Sequence, residues 1–167
     1  VAAALTFSTI SPFFTNAAGT RVRSFTLTAR YGVSPLSAHH SLYYSQSRIG
    51  AHAKAGDYYG FNDGDAPLRP LVKVHPETGR RALFIGRHAC NIPGIDPRES
   101  EAFLDGLMDF ACRPPRVYRH QWNVGDIVVW DNRCTLHRAR PYDMHHPRVM
   151  MHTRVSGDPR TERALNA

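Results

Sequence analysis

The chain has 167 residues, enough for one domain with a modest hydrophobic core. Hydrophobic residues make up 42% and charged residues 21%, which excludes a disordered chain, and no stretch approaches the roughly 18 apolar residues of a membrane helix. The net charge is +7, and the basic residues are interleaved with acidic and apolar ones. We therefore expect anion-binding arginines but neither a nucleic-acid nor a membrane partner. Three widely spaced cysteines argue against a disulfide framework and predict a reducing, cytoplasmic location.

The first part of the chain differs in composition from the rest. All 14 acidic residues lie within residues 57–167, and arginines are the only charged side chains in residues 1–35. Three interpretations stay open: a transit-like targeting peptide, a genuine strand-rich segment, or a foreign N-terminus from a truncated or frame-shifted coding region. We therefore separate an atypical segment, residues 1–38, from the main domain, residues 39–167.

A β-hairpin is predicted next. Residues 71–74 and 81–85 are short apolar runs joined by the turn Pro76–Gly79. His75 and Glu77 match a His-x-Glu metal-ligand pattern. Because both belong to the turn, we expect them at a solvent-exposed corner and not in a metal site.

One amphipathic helix is predicted over about residues 97–112. Asp96–Glu99 combines an N-cap candidate, a proline at the first helical position and a glutamate at the third. Apolar side chains follow at helical spacing, with Phe103 and Leu107 on the side expected to pack against a sheet. Pro114 and the proline after it stop the helix.

Strand patterns return after the helix, at residues 117–122, 127–130 and 149–155. Many short strands with a single helix predict a mainly β fold, either a β-sandwich or a jelly roll.

The region around His137 is the most specific candidate site. This histidine follows the predicted strand 127–130, and Arg148 comes eleven residues later. Iron(II) oxygenases use two histidines and one carboxylate, and a fixed guanidinium holds a carboxylate bidentately. A single histidine is more often a packed core residue and a single arginine a surface charge, so spacing alone leaves both interpretations open.

Long motifs carry a resemblance to a known family. The similar runs are His75–Ala89, Tyr118–Asp126 and Trp130–His137, with Arg148 and Gly157-Asp158 after them. Together they resemble the C-terminal part of the taurine dioxygenase family, and more narrowly its branch named for 2,4-dichlorophenoxyacetate dioxygenase. The similarity covers roughly residues 39–160.

This resemblance implies a partial double-stranded β-helix, a jelly roll, over residues 39–167. It implies that His137 is an Fe(II) ligand and that Arg148 binds 2-oxoglutarate. The implied reaction uses O2, with ascorbate as an open requirement, to hydroxylate a small organic acid of aryloxyalkanoate or sulfonate type and to release succinate and CO2. His88 lies where the branch places a residue near the substrate.

The chain departs from the family pattern at two places. Residues 1–38 contain no His-x-Asp pair, and His75 is too close to His137 to belong to one. His152 stands where several members carry a second, substrate-binding arginine, and Arg154 faces the same way only in a regular strand. The alternative function is therefore a catalytically inactive jelly-roll fragment that binds anions or a partner, and homo-oligomerisation stays open.

Overall fold

The computed structural model describes residues 32–52, 54–56, 61 and 64–167, so most of the atypical segment 1–38 lies outside the described residues. The elements found there are β1 (Ser37–His40), α1 (Leu42–Ser47), β2 (Leu68–Pro70), β3 (Val72–Val74), β4 (Arg81–Leu83), β5 (Ala89–Cys90), α2 (Pro97–Ala111) and α3 (Pro159–Glu162). Small antiparallel sheets with few helices are consistent with the expected mainly β class. Among the described residues no helix is long and apolar enough to cross a membrane.

A three-stranded antiparallel sheet positions the first histidines. β1 lies between β2 and β5, with Ala38 opposite Arg69 and His40 opposite Ala89. Burial alternates along β1, so Ala38 and His40 are both buried. Because successive strand side chains point to opposite faces, the strand itself turns His40 towards the interior.

The predicted hairpin is confirmed. β3 and β4 pair antiparallel, with Val72 opposite Leu83 and Val74 opposite Arg81. His75 closes the turn, since its amide donates to Arg80 O at 2.8 Å and its carbonyl accepts from Gly79 N at 2.9 Å.

The predicted helix is confirmed as α2. The Asp96 carboxylate accepts hydrogen bonds from the amides of Arg98 and Glu99, which satisfies two of the amides that a helix leaves unpaired at its N-terminus. Phe103 and Leu107 are almost fully buried. They pack in one hydrophobic core with the side chains of the hairpin and of the loop after β5, including Leu71, Leu83 and Ile92.

The strand predictions for residues 117–122, 127–130 and 149–155 are wrong, because none of these segments is a strand in the structure. Their apolar side chains are largely exposed, among them Ile127, Val129 and Met151. The alternating pattern is present in the sequence, but a strand also needs a neighbour for its N–H and C=O groups. No described residue provides that neighbour.

Candidate functional site

A pocket beside the three-stranded sheet is the first candidate region. It encloses about 360 Å³ and is lined by polar and apolar side chains from β1, α1, β2 and the segment between β4 and β5. The lining includes His40, Tyr43, Arg69, Phe84 and His88. A volume of this size lies within the usual range for small-molecule sites, which runs from about 300 to about 1,000 Å³.

His40 is the most unusual side chain of this pocket. It is 9% exposed, and its Nε2 has no hydrogen-bond partner among the described residues. Its ring stacks on Phe84, with centroids 5.3 Å apart, and meets the His88 ring edge-on at 4.8 Å. Burial, followed by the neighbouring His88 and Arg69, lowers the pKa of His40 from 6.5 to about 3. The imidazole is therefore neutral at pH 7.

The His88 ring lies close to the backbone of Gly86. A Cβ atom added to Gly86 would lie 2.5 Å from His88 Cε1 and 2.8 Å from His88 Nδ1, so only glycine allows this approach. Burial, and after it the Arg87 charge, lowers the pKa of His88. Both pocket histidines are therefore biased towards the neutral form, which offers one N–H donor and one acceptor.

Arg69 brings a fixed positive charge to the pocket wall. Its guanidinium donates to the carbonyl of Glu162, at the end of α3. The Glu162 carboxylate pairs in turn with Lys73, whose ammonium lies 4.7 Å from the centre of the Phe84 ring. Through Glu162, α3 thus contacts β2 and β3 and fixes the position of the Arg69 guanidinium.

A second region is built around Trp130. The rings of Trp130 and His137 have centroids 4.8 Å apart, and the rings of Trp130 and His152 stack at 6.3 Å. Although His137 is an exposed residue, partial loss of water around its ring, then the His152 and Arg154 charges, lowers its pKa. The structure thus brings two of the sequence-predicted site residues, His137 and His152, to one indole ring, and the charge of a third, Arg154, acts on His137.

Arg148 contacts a different aromatic ring. Its guanidinium stacks on the Tyr142 ring at 4.8 Å, and it forms no hydrogen bond or ion pair with a described residue. His137 and Arg148 are both exposed, and neither lies on a strand. The two residues therefore do not lie on neighbouring strands, because the strands predicted around them are not formed. Their roles as iron ligand and 2-oxoglutarate-binding residue stay predictions.

The expected placement of His75 at an exposed corner is also wrong. Its side chain is only 11% exposed, and Nε2 lies 3.1 Å from Asp131 Oδ2. Arg133 binds both Asp131, at 2.7 Å, and Glu77, at 2.9 Å. This His75–Asp131–Arg133–Glu77 network joins the hairpin turn to the segment that carries His137. The sequence contained both motifs, but nothing in it indicated that they touch.

One group of side chains near the hairpin turn has the donor types that metal ions use. Among the described residues one group has three suitable donor atoms within 4.8 Å of one another: His75, Asp131 and Cys134. Both Asp131 oxygens already accept hydrogen bonds from Arg133, and one also contacts His75, so the carboxylate is saturated and neutralised. A cation there would face the Arg133 guanidinium. The group is an ion-pair network and not a metal site.

The described residues also do not complete an iron site at His137. Its neighbours are an indole, a second imidazole and an arginine, and no described carboxylate contacts it. An iron facial triad needs two histidines and one carboxylate. His137 is thus a candidate ligand whose partners the described part of the chain does not supply.

The chain matches a family model and several known proteins over most of its length. The family model described as "Taurine catabolism dioxygenase TauD, TfdA family" matches residues 27–154. A (S)-phenoxypropionate/alpha-ketoglutarate-dioxygenase from Sphingobium herbicidovorans is 59% identical over 137 residues, covering 80% of this chain and 48% of the relative. The protein of the same name from Delftia acidovorans is 61% identical over 131 residues, covering 77% of this chain and 45% of the relative.

The solved structures give the same result. The crystal structure of AAD-2 in complex with Mn(II) and N-oxalylglycine matches with a TM-score of 0.62 and 33% sequence identity, covering 73% of this chain and 47% of that chain. The chain therefore spans about half the length of the relatives it matches.

Proposed function

Because the chain belongs to the taurine catabolism dioxygenase TauD, TfdA family, we propose that it forms the His137- and Arg148-bearing part of an Fe(II)- and 2-oxoglutarate-dependent dioxygenase. One observation carries the proposal: the family match over residues 27–154 runs through both side chains. The fold proposed for the whole enzyme is the double-stranded β-helix, of which residues 39–167 form the C-terminal part.

The proposed roles follow from side-chain chemistry. His137 would supply one imidazole ligand to the iron, and Arg148 would hold the distal carboxylate of 2-oxoglutarate through paired N–H donors. When its ligand set is complete, the bound metal would supply the oxidation of 2-oxoglutarate by O2 to succinate and CO2. Trp130 packs beside His137 and shields one side of its ring from water.

The substrate class is proposed as a small organic acid of aryloxyalkanoate or sulfonate type. Two relatives are named for (S)-phenoxypropionate, and a relative from Pseudomonas putida is named as an alpha-ketoglutarate-dependent sulfate ester dioxygenase. The pocket lined by His40 and His88 suits such a molecule, because aromatic walls meet the Arg69 side chain there. His152 and Arg154, beside His137, are the second candidates for contact with the acid group.

A chimera tests the proposed function. Residues 39–167 would replace the matched part of the S. herbicidovorans relative, and succinate formation would be measured with Fe(II), ascorbate and phenoxypropionate. His137→Ala should abolish turnover, since a facial triad cannot lose a ligand. Arg148→Ala should weaken 2-oxoglutarate binding by about 2–5 kcal/mol, and His145→Ala, a change at another exposed residue, serves as control. Turnover that survives His137→Ala would refute the proposed role.

The isolated chain is a separate case. Since His137 has no carboxylate beside it among the described residues, the 167-residue chain alone should bind Fe(II) weakly and form no succinate. This observation favours the second candidate function for the chain by itself, that of a catalytically inactive part which binds anions or a partner. Robust succinate formation by the chain alone would exclude that function.

A further inference from the structure

The segment between α2 and α3 exposes an unusual amount of apolar surface. Of the seventeen large apolar or aromatic side chains exposed in the described residues, twelve fall between positions 117 and 155. The folded core, by contrast, is built from residues 33–111 together with Leu136. Extensive exposed apolar surface in a folded chain marks an interaction site.

The exposed side chains follow the period of a β-strand. Five of them, each at least 83% exposed, define what we call the odd face: Ile127, Val129, Val149, Met151 and Val155. Within each run their spacing is two or a multiple of two, so in an extended strand they point the same way. The opposite face of the same strands would carry Trp130 together with Arg148, His152 and Arg154.

The backbone of these runs also has no partner within the described part of the chain. Residues 127–130 and 149–153 form no backbone–backbone hydrogen bond with any described residue; the bonds made nearby close turns at Asn123–Asp126, Asp131–Thr135 and Asp143–His146. Strand-forming sequences with free N–H and C=O groups are templates for added strands. Both the backbone edges and the apolar side chains therefore call for the same kind of occupant, another set of β-strands.

We propose that the odd face and its strand edges dock a polypeptide equivalent to the half of the family protein that this chain does not match. The relatives are about twice as long as the matched region, at 59% and 61% identity within it. Segments this similar need the same neighbours, and in the relatives the remaining half is present to provide them. A second copy of this chain would offer the matched strands again and not those of the unmatched half.

Docking would also order the candidate site. Pairing residues 127–130 and 149–155 as strands places the odd face against the partner's apolar layer. The side chains of Trp130, Arg148 and His152 then share the other face. Before any such pairing, the Arg148 guanidinium lies over the Tyr142 ring. The inference concerns assembly and rests on the proposed function only for this last consequence.

Co-expression tests the proposal. The full 167-residue chain would be produced together with the unmatched part of the S. herbicidovorans relative, which carries an affinity tag. We expect a one-to-one complex by light scattering. Amide exchange in residues 127–130 and 149–153 should slow at least about tenfold, the change that about 1.4 kcal/mol of added protection produces.

Charge insertion gives the matched control. Ile127→Lys with Val129→Lys should abolish the complex without unfolding the chain, because both side chains are exposed in the free chain. Ile49→Lys with Leu165→Lys makes the same change at two exposed apolar positions outside the odd face and should leave the complex intact. If the relative's part is insoluble alone, its rescue into the soluble fraction by the unchanged chain, but not by the Ile127/Val129 variant, is the supporting result.

Three results would overturn the proposal. One is a homodimer of the chain with the same protected amides, since the occupant would then be a second copy. Another is equal loss of the complex in both double variants. The third is no complex and no rescue of solubility. Complex formation without succinate production would instead contradict the proposed function and leave the docking inference standing.

Discussion

His75 Nε2 lies 3.1 Å from Asp131 Oδ2, although the two residues are 56 positions apart in the sequence. One stands in the turn of the β3–β4 hairpin and the other directly after Trp130. The Arg133 guanidinium bridges Asp131 to Glu77 in the same turn, and it holds the pKa of Asp131 well below its usual range. This contact anchors the start of the segment that leads to His137 on the folded core.

Removing that anchor should release the segment. Asp131→Ala is expected to lower the free energy of unfolding by about 1–2 kcal/mol, because a largely buried histidine and a partly exposed arginine lose their shared acceptor. Solvent screening of the partly exposed Arg133–Asp131 pair keeps the effect at this modest size. Urea unfolding measures it. Asp143→Ala removes a carboxylate from an exposed pair with His146, and it should have almost no effect. Equal effects of the two substitutions would show that the network contributes no specific stability.

The α2 face provides a test of core packing. Leu107 is 3% exposed, so Leu107→Ala should cost about 2–5 kcal/mol of unfolding free energy through lost burial and the cavity left behind. Leu165→Ala makes the same substitution at an exposed leucine. Chemical unfolding of both variants therefore separates the effect of lost packing from that of the substitution itself. A cost at Leu107 no larger than at Leu165 would refute the assignment of this face to the core.

His40 predicts a pH dependence of stability. The folded state lowers its pKa from 6.5 to about 3, so between these values the unfolded chain binds a proton that the folded chain does not. Stability is therefore complete above pH 6.5 and falls as the pH drops towards 3, by at most about 1.4 kcal/mol per pH unit for this one group.

Urea unfolding between pH 7 and pH 5 measures this effect without a contribution from Asp131, whose depressed pKa keeps it ionised in that window. His40→Gln should flatten the slope, whereas His145→Gln, at an exposed residue, should keep it. The contribution of His88, whose pKa is also lowered, should remain in the His40→Gln variant. An unchanged slope would contradict the burial of a neutral imidazole at this position.

Gly86 predicts a coupling with His88. In Gly86→Ala the new Cβ would meet the imidazole at 2.5 Å, so the ring must leave its place beside His40 at a cost of about 1–3 kcal/mol. The cost should largely disappear when His88→Ala is already present, because the clash is then absent. A double-mutant cycle by urea unfolding measures this coupling. Purely additive effects would place the penalty in the Gly86 backbone.

The site was only partly predictable from the sequence. His137 and Arg148 stand in a long motif that is recognisable without coordinates, and so does His88. His40 and Arg69 were missed because a strand of four residues carries too little pattern to show which of two adjacent histidines is buried. His75 was placed at the surface, since a turn is usually exposed, and its contact with Asp131 depends on where a distant segment passes.

The sequence by itself determined two local elements, the β3–β4 hairpin and the Asp96-capped helix α2. It also determined membership in the dioxygenase family. Caps, turns and apolar periods act between near neighbours, so they need no tertiary context. Only the tertiary structure decided that residues 117–122, 127–130 and 149–155 form no strands within the described part of the chain, because a strand forms when another strand accepts its hydrogen bonds and covers its face. It likewise decided that His40 is neutral and enclosed, since burial comes from the packing of residues far apart in the chain.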